Sequence, residues 1–462
     1  MTHAARAKLM FLIFLNGYIS LSLELVVLRY LSFWVGSSAI ITSIIMGMFL
    51  GFMSLGYFLG NARRVKNSNI YKIVGLSFFV IAAISLAAGS FPLISEYFSL
   101  MYMAGARSSV VQTFIFSVVL LSVGPFLFGF NTTLMSRLLS ADKSNQTGVI
   151  MAMDTIGSVL GSLLTTLILM PLIGVNNTVI VICGAGVIGA LMMWRRWYMW
   201  PLALGLMVFT AYINSNWYQR TRFAITVNNS NSTIQIAPIN NGRILYMNSL
   251  PMSLYFPDTR MSAEYINYVN DTFIYSMPTD ERRRILILGA GGFTAGLNDT
   301  FHDYTYVDIE PTLKEISETQ FLGEKLTPNK KFVVQDASQF LKNTDRMYDL
   351  IMLDVYSNSY QVPESLITAE FMMRIKARVA PGGIVVMNIV SSPAFDDEYS
   401  RVFDNTFNSV FSHNTSRNVI GDFNPWQKTG NEPSNIIYVW YNRENSGRIY
   451  DVNNSSVLYD IY

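Results

Sequence analysis

Long apolar runs fill the first half of the chain, whereas shorter runs that alternate with polar positions fill the second. Residues 1–215 contain seven apolar segments near the length of about 20 helical residues that spans a bilayer. These segments are 9–31, 38–60, 70–92, 110–138, 150–172, 176–194 and 198–214. The pattern predicts an all-α, seven-helix transmembrane domain. The fourth segment is overlong and contains Pro125, so a kink or tilt is expected there.

Alternating apolar positions with Asn- and Gly-containing breaks occupy residues 222–256 and predict a small antiparallel β-domain. After residue 260, apolar runs such as "ILILG", "YDLIMLD" and "GIVVMNIV" alternate with helical patterns. Strands separated by helices predict an α/β doubly wound, Rossmann-like domain with a parallel sheet. The predicted domains are therefore 1–215, 216–259 and 260–462.

The last of these domains is predicted to open with a helix at about 260–276, followed by strands and helices in alternation. The predicted strands are 284–288, 304–309, 331–335, 349–353 and 384–390. The predicted helices between them are 294–299, 311–319, 337–342 and 367–379. In an open sheet of this kind, a ligand binds across the carboxyl ends of the strands.

The distribution of charge separates the same two halves of the chain. Of 33 Lys and Arg residues 12 lie in 1–215, and of 31 Asp and Glu residues only 4 lie there. Residues 216–462 therefore hold 21 basic and 27 acidic residues, and this acidic balance argues against a nucleic-acid-binding surface. Cys183 is the only cysteine, which excludes disulfides within the chain and Cys-based zinc sites. The three histidines are scattered, so no metal site is predicted.

Basic residues in the short loops predict the orientation in the membrane. If the N-terminus is cytoplasmic, ten of them lie on the cytoplasmic side, and only Arg29 and Arg107 lie on the other. The ten are Arg6, Lys8, Arg63, Arg64, Lys66, Lys72, Arg137, Lys143, Arg195 and Arg196. The chain is thus expected to be a multi-pass protein of the cell (inner) membrane, with the lipid bilayer as its first partner. With seven spans, residues 216–462 would lie outside the cytoplasm.

Two carboxylates, Glu24 and Asp154, lie inside the predicted spans. Carboxylates within a membrane are costly and often functional, but they also serve as structural partners of arginines near helix ends. Both interpretations remain open for these two residues. Gly157 and Gly161 are four residues apart and predict close packing of their helix against another helix.

A glycine-rich turn and several carboxylates follow the predicted strands. Gly289 and Gly291, in "LGAGG", allow the backbone to approach a ligand closely. Asp308 ends the next strand, roughly 20 residues on, where a carboxylate can accept both hydroxyls of a ribose. Asp336 follows the third strand and is placed to accept an adenine amino group.

Asp354 and Tyr356 follow the next buried strand, in "LIMLDVYSN". Any one of the three carboxylates could instead cap the N-terminus of a helix. Their order, with a glycine turn followed by three acidic residues at successive strand ends, favours a site for an adenosine-bearing cofactor.

These motifs resemble those of the spermidine synthase (polyamine aminopropyltransferase) family, and most closely its membrane-fused branch. The matching segments are "GAGGFT" for the family's glycine turn, "VDIEP" for its ribose-binding acid, Asp336-Ala337 for its adenine contact and "DVYSN" for its catalytic loop. The resemblance covers roughly 220–410, and "LSLELVVLRYLSFWVGSS" is similar to the opening helix of the fused members.

The resemblance implies transfer of an aminopropyl group from decarboxylated S-adenosylmethionine to a small amine, without a metal. Asp354 would act as the base that also holds the amine, and Tyr356 would orient it. The implied cofactor-binding residues are Gly289, Gly291, Asp308, Asp336 and Ala337.

The sequence departs from the family pattern mainly on the amine side. The family's Asp in the glycine turn is Gly292 here, and the second Asp of its catalytic motif is Ser357. Its "Y-H-E" segment corresponds at best to Ser262, Ala263 and Glu264, which leaves Glu264 as the predicted substrate-binding residue.

Three functions follow as alternatives. The first is aminopropyl or related alkyl transfer to an amine, the second is methyl transfer from S-adenosylmethionine, and the third is a catalytically inactive scaffold or partner of a membrane assembly. Sulfonium cofactors are made in the cytoplasm, whereas the loop charges place residues 216–462 on the other side, which favours the third. A homo-oligomer or a membrane-protein partner is expected, because small β-domains leave edge strands to cover.

Overall fold

The computed structural model describes most of the chain. The described residues are 2–35, 38–62, 66–106, 108–140, 146–229, 232–248, 250–356, 362–421 and 433–443. Arg63, Arg64, Arg107, Lys143 and Ser357 lie outside them. Contacts divide the chain into two compact units, Met1–Ala237 with Leu245–Pro251 and Pro238–Ile244 with Met252–Tyr462. The three domains inferred from the sequence remain predictions.

Apolar α-helices make up most of the first unit. They are α1 His3–Val35, α2 Ala39–Ala62, α3 Asn67–Gly89, α4 Phe91–Met103, α5 Ser109–Phe116, α6 Val123–Ser140, α7 Thr147–Leu164, α8 Met170–Met193, α9 Met199–Ile213 and α10 Asn216–Phe223. Single π-helical turns follow α5 and α7, at Ser117–Leu121 and Thr165–Leu169. Large apolar side chains on many of these helices remain exposed, as in a structure whose outer surface faces lipid.

Four helical segments among the described residues are long and apolar enough to cross a membrane. They are His3–Val35, Ala39–Asn61, Asn69–Gly89 and Thr147–Met193. A fifth results if α5 and α6 form one bent span, and α9 is a shorter apolar helix. Seven spans are therefore not confirmed. The predicted segments 150–172 and 176–194 fall in one 47-residue helical segment, which is interrupted at Gly174 with φ +82°.

The expected kink in the fourth predicted segment is confirmed. Ser109–Leu121 and Val123–Leu139 are bent by 43° relative to each other. Pro125 lies just after this junction and lacks the N–H that would bond to the carbonyl of Leu121, four residues earlier. The bend therefore follows from a helical hydrogen bond that the sequence cannot make.

Helices α1 and α7 pack closely along glycines, as the spacing of Gly157 and Gly161 predicts. An added Cβ at Gly157 would lie 2.9 Å from the carbonyl carbon of Phe14, and one at Gly161 would lie 2.9 Å from the Cα of Tyr18. Such distances are too short for any side chain. The two backbones can approach this closely only because both positions on α7 lack a Cβ.

The two carboxylates of the helical unit lie on these same helices. Asp154 on α7 accepts a long hydrogen bond of 3.5 Å from the Thr132 hydroxyl, which itself accepts from the Asn16 amide at 3.1 Å. Asp154 thus joins a polar network that links α1, α6 and α7. Glu24 on α1 is buried, with 6% of its surface exposed, and its role stays a prediction.

An antiparallel sheet follows the helices, as expected from the alternating pattern. Its strands, in spatial order, are β1 Ile225–Asn228, β2 Thr233–Ile239, β3 Gly242–Met247, β4 Leu250–Phe256 and β5 Met261–Ser262. Its last two strands are joined by a turn in which Arg260 has a positive φ of 55°.

A seven-stranded mixed sheet forms the centre of the second unit. Its strands are β6 Arg284–Leu288, β7 Asp303–Asp308, β8 Lys330–Val334, β9 Tyr348–Leu353, β10 Val379–Ser391, β11 Thr415–Ile420 and β12 Ser434–Tyr441. The order is β11-β12-β10-β9-β6-β7-β8, and β6 to β10 run parallel to their neighbours within this group. The predicted parallel strands are thus confirmed. The sheet is mixed because β12 pairs antiparallel with both β10 and β11, which the sequence pattern did not indicate.

Helices flank the parallel strands of this sheet. They are α11 Glu264–Val269, α12 Leu313–Ile316, α13 Ala337–Asn343, α14 Ala369–Lys376 and α15 Glu398–Val410. The predicted helix at 294–299 is wrong, because these residues fold into turns. Phe293 and Gly296 adopt positive φ angles of 61° and 68°, which a right-handed helix cannot accommodate.

Replacing Gly157 by Ala should destabilise the helical unit. The new Cβ would force α1 and α7 apart, and overpacking of this kind costs about 1–3 kcal/mol of unfolding free energy. The matched control is Gly148→Ala on the same helix, where an added Cβ meets nothing within 4 Å. Thermal unfolding of the full chain in detergent measures both. Equal melting temperatures for the two variants would contradict the close packing of α1 on α7.

Candidate functional site

The parallel strands bring the predicted site residues to one edge of the seven-stranded sheet. Their order places β8, β7, β6 and β9 side by side. Backbone hydrogen bonds continue past the strand ends, from the Gly289 N–H to the Val307 carbonyl and from the Asp354 N–H to the Leu288 carbonyl, both at 2.9 Å. The glycine turn therefore lies directly between the segments that carry Asp308 and Asp354.

The first glycine of the turn is required by the packing of the strand ends. Gly289 has a φ of +93°, and an added Cβ would overlap the backbone of Asp354, 2.8 Å from its carbonyl carbon. Gly291 also has a positive φ, of 48°. Both glycines thus permit a tight bend of the backbone over the end of β6.

Asp308 ties the turn to the end of β7. Its Oδ2 accepts a hydrogen bond from the Ala290 N–H at 3.0 Å, and its Oδ1 accepts one from the Glu310 N–H at 3.1 Å. Burial raises the pKa of the Asp308 carboxyl. A carboxylate offers about four acceptor positions, so this side chain can still accept bonds from a ligand after serving the backbone.

Asp336 begins α13 and caps it. Its Oδ1 accepts a hydrogen bond from the Gln339 N–H at 2.9 Å, so Asp336 caps the N-terminus of this helix, which was the alternative to ligand binding. The side chain is exposed, and its Oδ2 has no partner among the described residues. The following Ala337 is buried against the sheet. Capping and ligand binding are therefore compatible at Asp336.

Asp354 is held by two side chains that come from distant parts of the second unit. The Tyr265 hydroxyl donates to Oδ2 at 3.0 Å, and the Asn388 amide donates to Oδ1 at 2.9 Å. Burial raises the pKa of the Asp354 carboxyl to about 6, although both hydrogen bonds lower it. At neutral pH the group is a carboxylate close to its titration point, which suits a general base.

Tyr356 lies beside this group without bonding to it. Its hydroxyl donates to the Asn388 carbonyl at 3.0 Å. Burial raises the pKa of Tyr356 well above its usual value, and the charge of Asp354 raises it further. The phenol therefore stays neutral and acts as a hydrogen-bonding group.

The sequence pattern did not identify two residues of this cluster, Tyr265 and Asn388. Tyr265 directly follows Glu264, the residue predicted to bind substrate, but Glu264 is exposed at the start of α11. Asn388 is the one polar residue in the run "GIVVMNIV", a signal that could have been used. It is fully buried, and its Oδ1 has no hydrogen-bond partner among the described residues. Such an orphaned acceptor next to a carboxylate is a natural place for an N–H donor of a ligand.

Side chains of the second unit pack against the glycine turn at Gly292. The Gly292 N–H donates to the Ser253 hydroxyl at 2.8 Å. An added Cβ at Gly292 would overlap the ring of Phe321, which is fully buried, and would lie 3.0 Å from the Cβ of Ser253. No side chain fits at this position. Phe321 and Ser253 thus occupy the space that a carboxylate at this position, as in the resembled family, would need.

Comparison with known proteins supports the resemblance over the second unit. Residues 275–420 match the family model of the spermine/spermidine synthase domain. The polyamine aminopropyltransferase of Vibrio vulnificus (strain CMCP6) is 26% identical over 172 residues, which are 36% of this chain and 54% of that protein. That of Sulfurisphaera tokodaii is 29% identical over 161 residues, 31% of this chain and 52% of that protein.

A solved structure is also similar to part of the chain. A probable spermidine synthase from Corynebacterium glutamicum ATCC 13032 has 21% identity and a TM-score of 0.39, and the match covers 50% of this chain and 82% of that one. The chain spans about half the length of the curated relatives that it matches.

Replacing Asp354 by Asn should stabilise the protein at neutral pH. The folded-state pKa is raised from 3.8 to about 6, so burial of the charged form costs on the order of 3 kcal/mol at pH 7. Asn removes this charge, and Asn388 can turn its amide to keep the contact. Because the pKa of Asp354 is raised on folding, its protonated form stabilises the folded state fully below about pH 4, and this stabilisation is lost as the pH rises through about 6. The melting temperatures of the variant and the wild type should therefore converge near pH 4.

Thermal unfolding of the full chain at pH 7.5 and 4.5 measures this difference, with a gain in melting temperature of roughly 5 °C expected at the higher pH. Asp345→Asn is the control, because the Asp345 side chain is fully exposed. A lower melting temperature of Asp354→Asn than of the wild type at pH 7.5 would refute the burial cost.

Proposed function

Because residues 275–420 make this chain spermidine synthase-like, we propose that it is a membrane-attached transferase that moves an aminopropyl group from decarboxylated S-adenosylmethionine to an amine. One observation carries the proposal beyond the family match. It is the partly buried Asp354 carboxylate, held by Tyr265 and Asn388 at the edge where the glycine turn and Asp308 lie.

The donor side of the site consists of Gly289, Gly291, Asp308, Asp336 and Ala337. When bound, the donor supplies a carbon made electrophilic by the adjacent sulfonium. The remaining acceptor positions of Asp308 would bind the ribose hydroxyls, and the free Oδ2 of Asp336 would bind the adenine amino group. The backbone of the turn, which lacks side chains at Gly289 and Gly291, would contact the nucleoside directly.

The acceptor side consists of Asp354, Tyr356 and Asn388, with Glu264 at the exposed rim. An amine attacks only when it is neutral, so Asp354 accepts its proton as the new C–N bond forms and the C–S bond breaks, with the electron pair going to sulfur. Asn388 Oδ1 would accept the second N–H of the amine and direct its lone pair. Glu264 would attract the cationic acceptor from solvent.

A second function, methyl transfer from S-adenosylmethionine, is favoured by the packing of Phe321 and Ser253 against Gly292. Since Phe321 and Ser253 leave no room for a carboxylate in the turn, nothing there would pair with the ammonium of an aminopropyl tail. The two functions share the donor pocket and differ in the group that leaves with sulfur. Product analysis therefore separates them.

The test uses the full chain in detergent with each donor and a panel of small amines. Aminopropyl transfer releases methylthioadenosine, whereas methyl transfer releases S-adenosylhomocysteine. Asp354→Asn should lower turnover by about 10²–10⁴-fold while donor binding persists, and Asp308→Asn should weaken donor binding instead. If neither donor binds, the transferase proposal fails, and a catalytically inactive partner of a membrane assembly is left.

The activity should depend on pH through Asp354. Protonation below a pKa of about 6 removes the base, so kcat/KM should fall about tenfold for each pH unit below 6 and level off above it. The profile is measured at fixed donor concentration between pH 4.5 and 8. A profile without a break near 6 would assign proton transfer to another group.

The side of the membrane on which residues 216–462 lie decides access to a cytoplasmic donor. A reporter that works only in the cytoplasm, fused to the C-terminus, should be active if the transferase proposal holds. A signal from only an extracytoplasmic reporter would confirm the orientation predicted from the loop charges and contradict the use of that donor. Self-association stays a prediction.

A further inference from the structure

A cavity of the second unit lies at the amino ends of β7 and β8, opposite the carboxyl ends that carry the candidate site. Its volume is about 380 Å³. Thr300 precedes the first residue of β7, and Lys330 is the first residue of β8. Asp308 is the last residue of β7 and Asp336 follows the end of β8, so both lie at the other ends of these parallel strands, about 15 Å away at 3.3 Å per residue. The cavity is therefore separate from the candidate site described above.

Lys330 is the buried cation of this cavity. Only 4% of its surface is exposed. Its ammonium donates to the Asp299 carbonyl and to the Thr327 hydroxyl, and it lies 5.1 Å from the centre of the Tyr304 ring. An ammonium has three donors, so one is left without a partner among the described residues. The Asp299 carboxylate does not compensate the charge directly, because it bonds to its own loop and to the Tyr304 hydroxyl.

The one carboxylate in the wall, Glu324, is already paired. Arg260 contacts both of its oxygens, at 3.0 and 2.7 Å. The Nε of Arg260 also donates to Asn298 Oδ1 at 2.7 Å, which leaves the Asn298 amide nitrogen as a further donor. Beyond this neutral pair, the wall carries the positive charges of Lys325 and Lys330.

We propose that this cavity binds a phosphate group, of inorganic phosphate or of a small phosphate monoester, between Lys325, Lys330 and the hydroxyls of Thr300 and Thr327. The lining offers ammonium, amide and hydroxyl donors, and phosphate oxygens act as acceptors. A dianion also balances the two positive charges. The volume exceeds that of a bare phosphate, so an ester with a small organic group fits.

The titration of Lys330 supports this assignment. Burial lowers its pKa to about 8, the charges of Asp299 and Glu324 raise it, and that of Arg260 lowers it. The exposed Lys325 also lines the cavity. Lys330 is therefore a cation at pH 7, and phosphate affinity should fall as the pH rises above about 8.

The test is calorimetric titration of the full chain, in a phosphate-free detergent, with inorganic phosphate and glycerol 3-phosphate at constant ionic strength. Lys330→Met, which keeps the aliphatic stem, should weaken binding at least tenfold. Lys325→Gln should weaken it about threefold or more, and because Lys325 is exposed this variant leaves the fold intact. The matched control is Lys331→Gln, an exposed lysine one position further along β8 that does not line the cavity.

The source of the phosphate is distinguished by repeating the titration in nanodiscs. Competition by phosphatidic acid but not by phosphatidylcholine assigns the phosphate to a lipid headgroup, and equal affinity in both assigns it to a soluble ligand. Absence of binding up to 10 mM phosphate overturns the proposal. So does a Lys331→Gln variant that loses as much affinity as Lys325→Gln.

Discussion

Parallel pairing of the strands from β8 to β10 is the constraint on which the candidate site depends. Backbone hydrogen bonds run past the strand ends, from Gly289 to Val307 and from Asp354 to Leu288, so the positions of the loops are set by the ladder itself. The same geometry separates two sites, because carboxylates collect at the carboxyl ends of the strands while Lys330 stands at an amino end.

Burial of Asp354 lowers the stability of the folded protein at neutral pH and at the same time makes the carboxylate a stronger base. A carboxylate with a pKa near 6 is unfavourable in the folded state at neutral pH, yet it is well suited to accept a proton. Tyr265 and Asn388 offset part of the cost through hydrogen bonds to opposite oxygens. Because Asn388 keeps an unpaired acceptor, the cluster is poised for a donor group from a ligand.

Close approach of backbones recurs in both units for different purposes. In the helical unit, Gly157 and Gly161 let α7 pack against the backbone of α1. In the second unit, Gly289 lets the turn fold over the end of β9, and Gly292 makes room for the ring of Phe321. The last of these contacts also leaves no room for a side chain at this position of the turn.

Local pattern determined the apolar helices, the succession of parallel strands along the chain and the acids at their ends, because period and strand-end chemistry depend on neighbouring residues. It also located the bend near Pro125, where a hydrogen-bond donor is missing. Only the tertiary structure joined Tyr265 and Asn388 to Asp354, set Phe321 against Gly292, and added β11 and β12 as antiparallel strands. These contacts link residues dozens of positions apart, and no short stretch of sequence encodes which distant side chain will fill a given space.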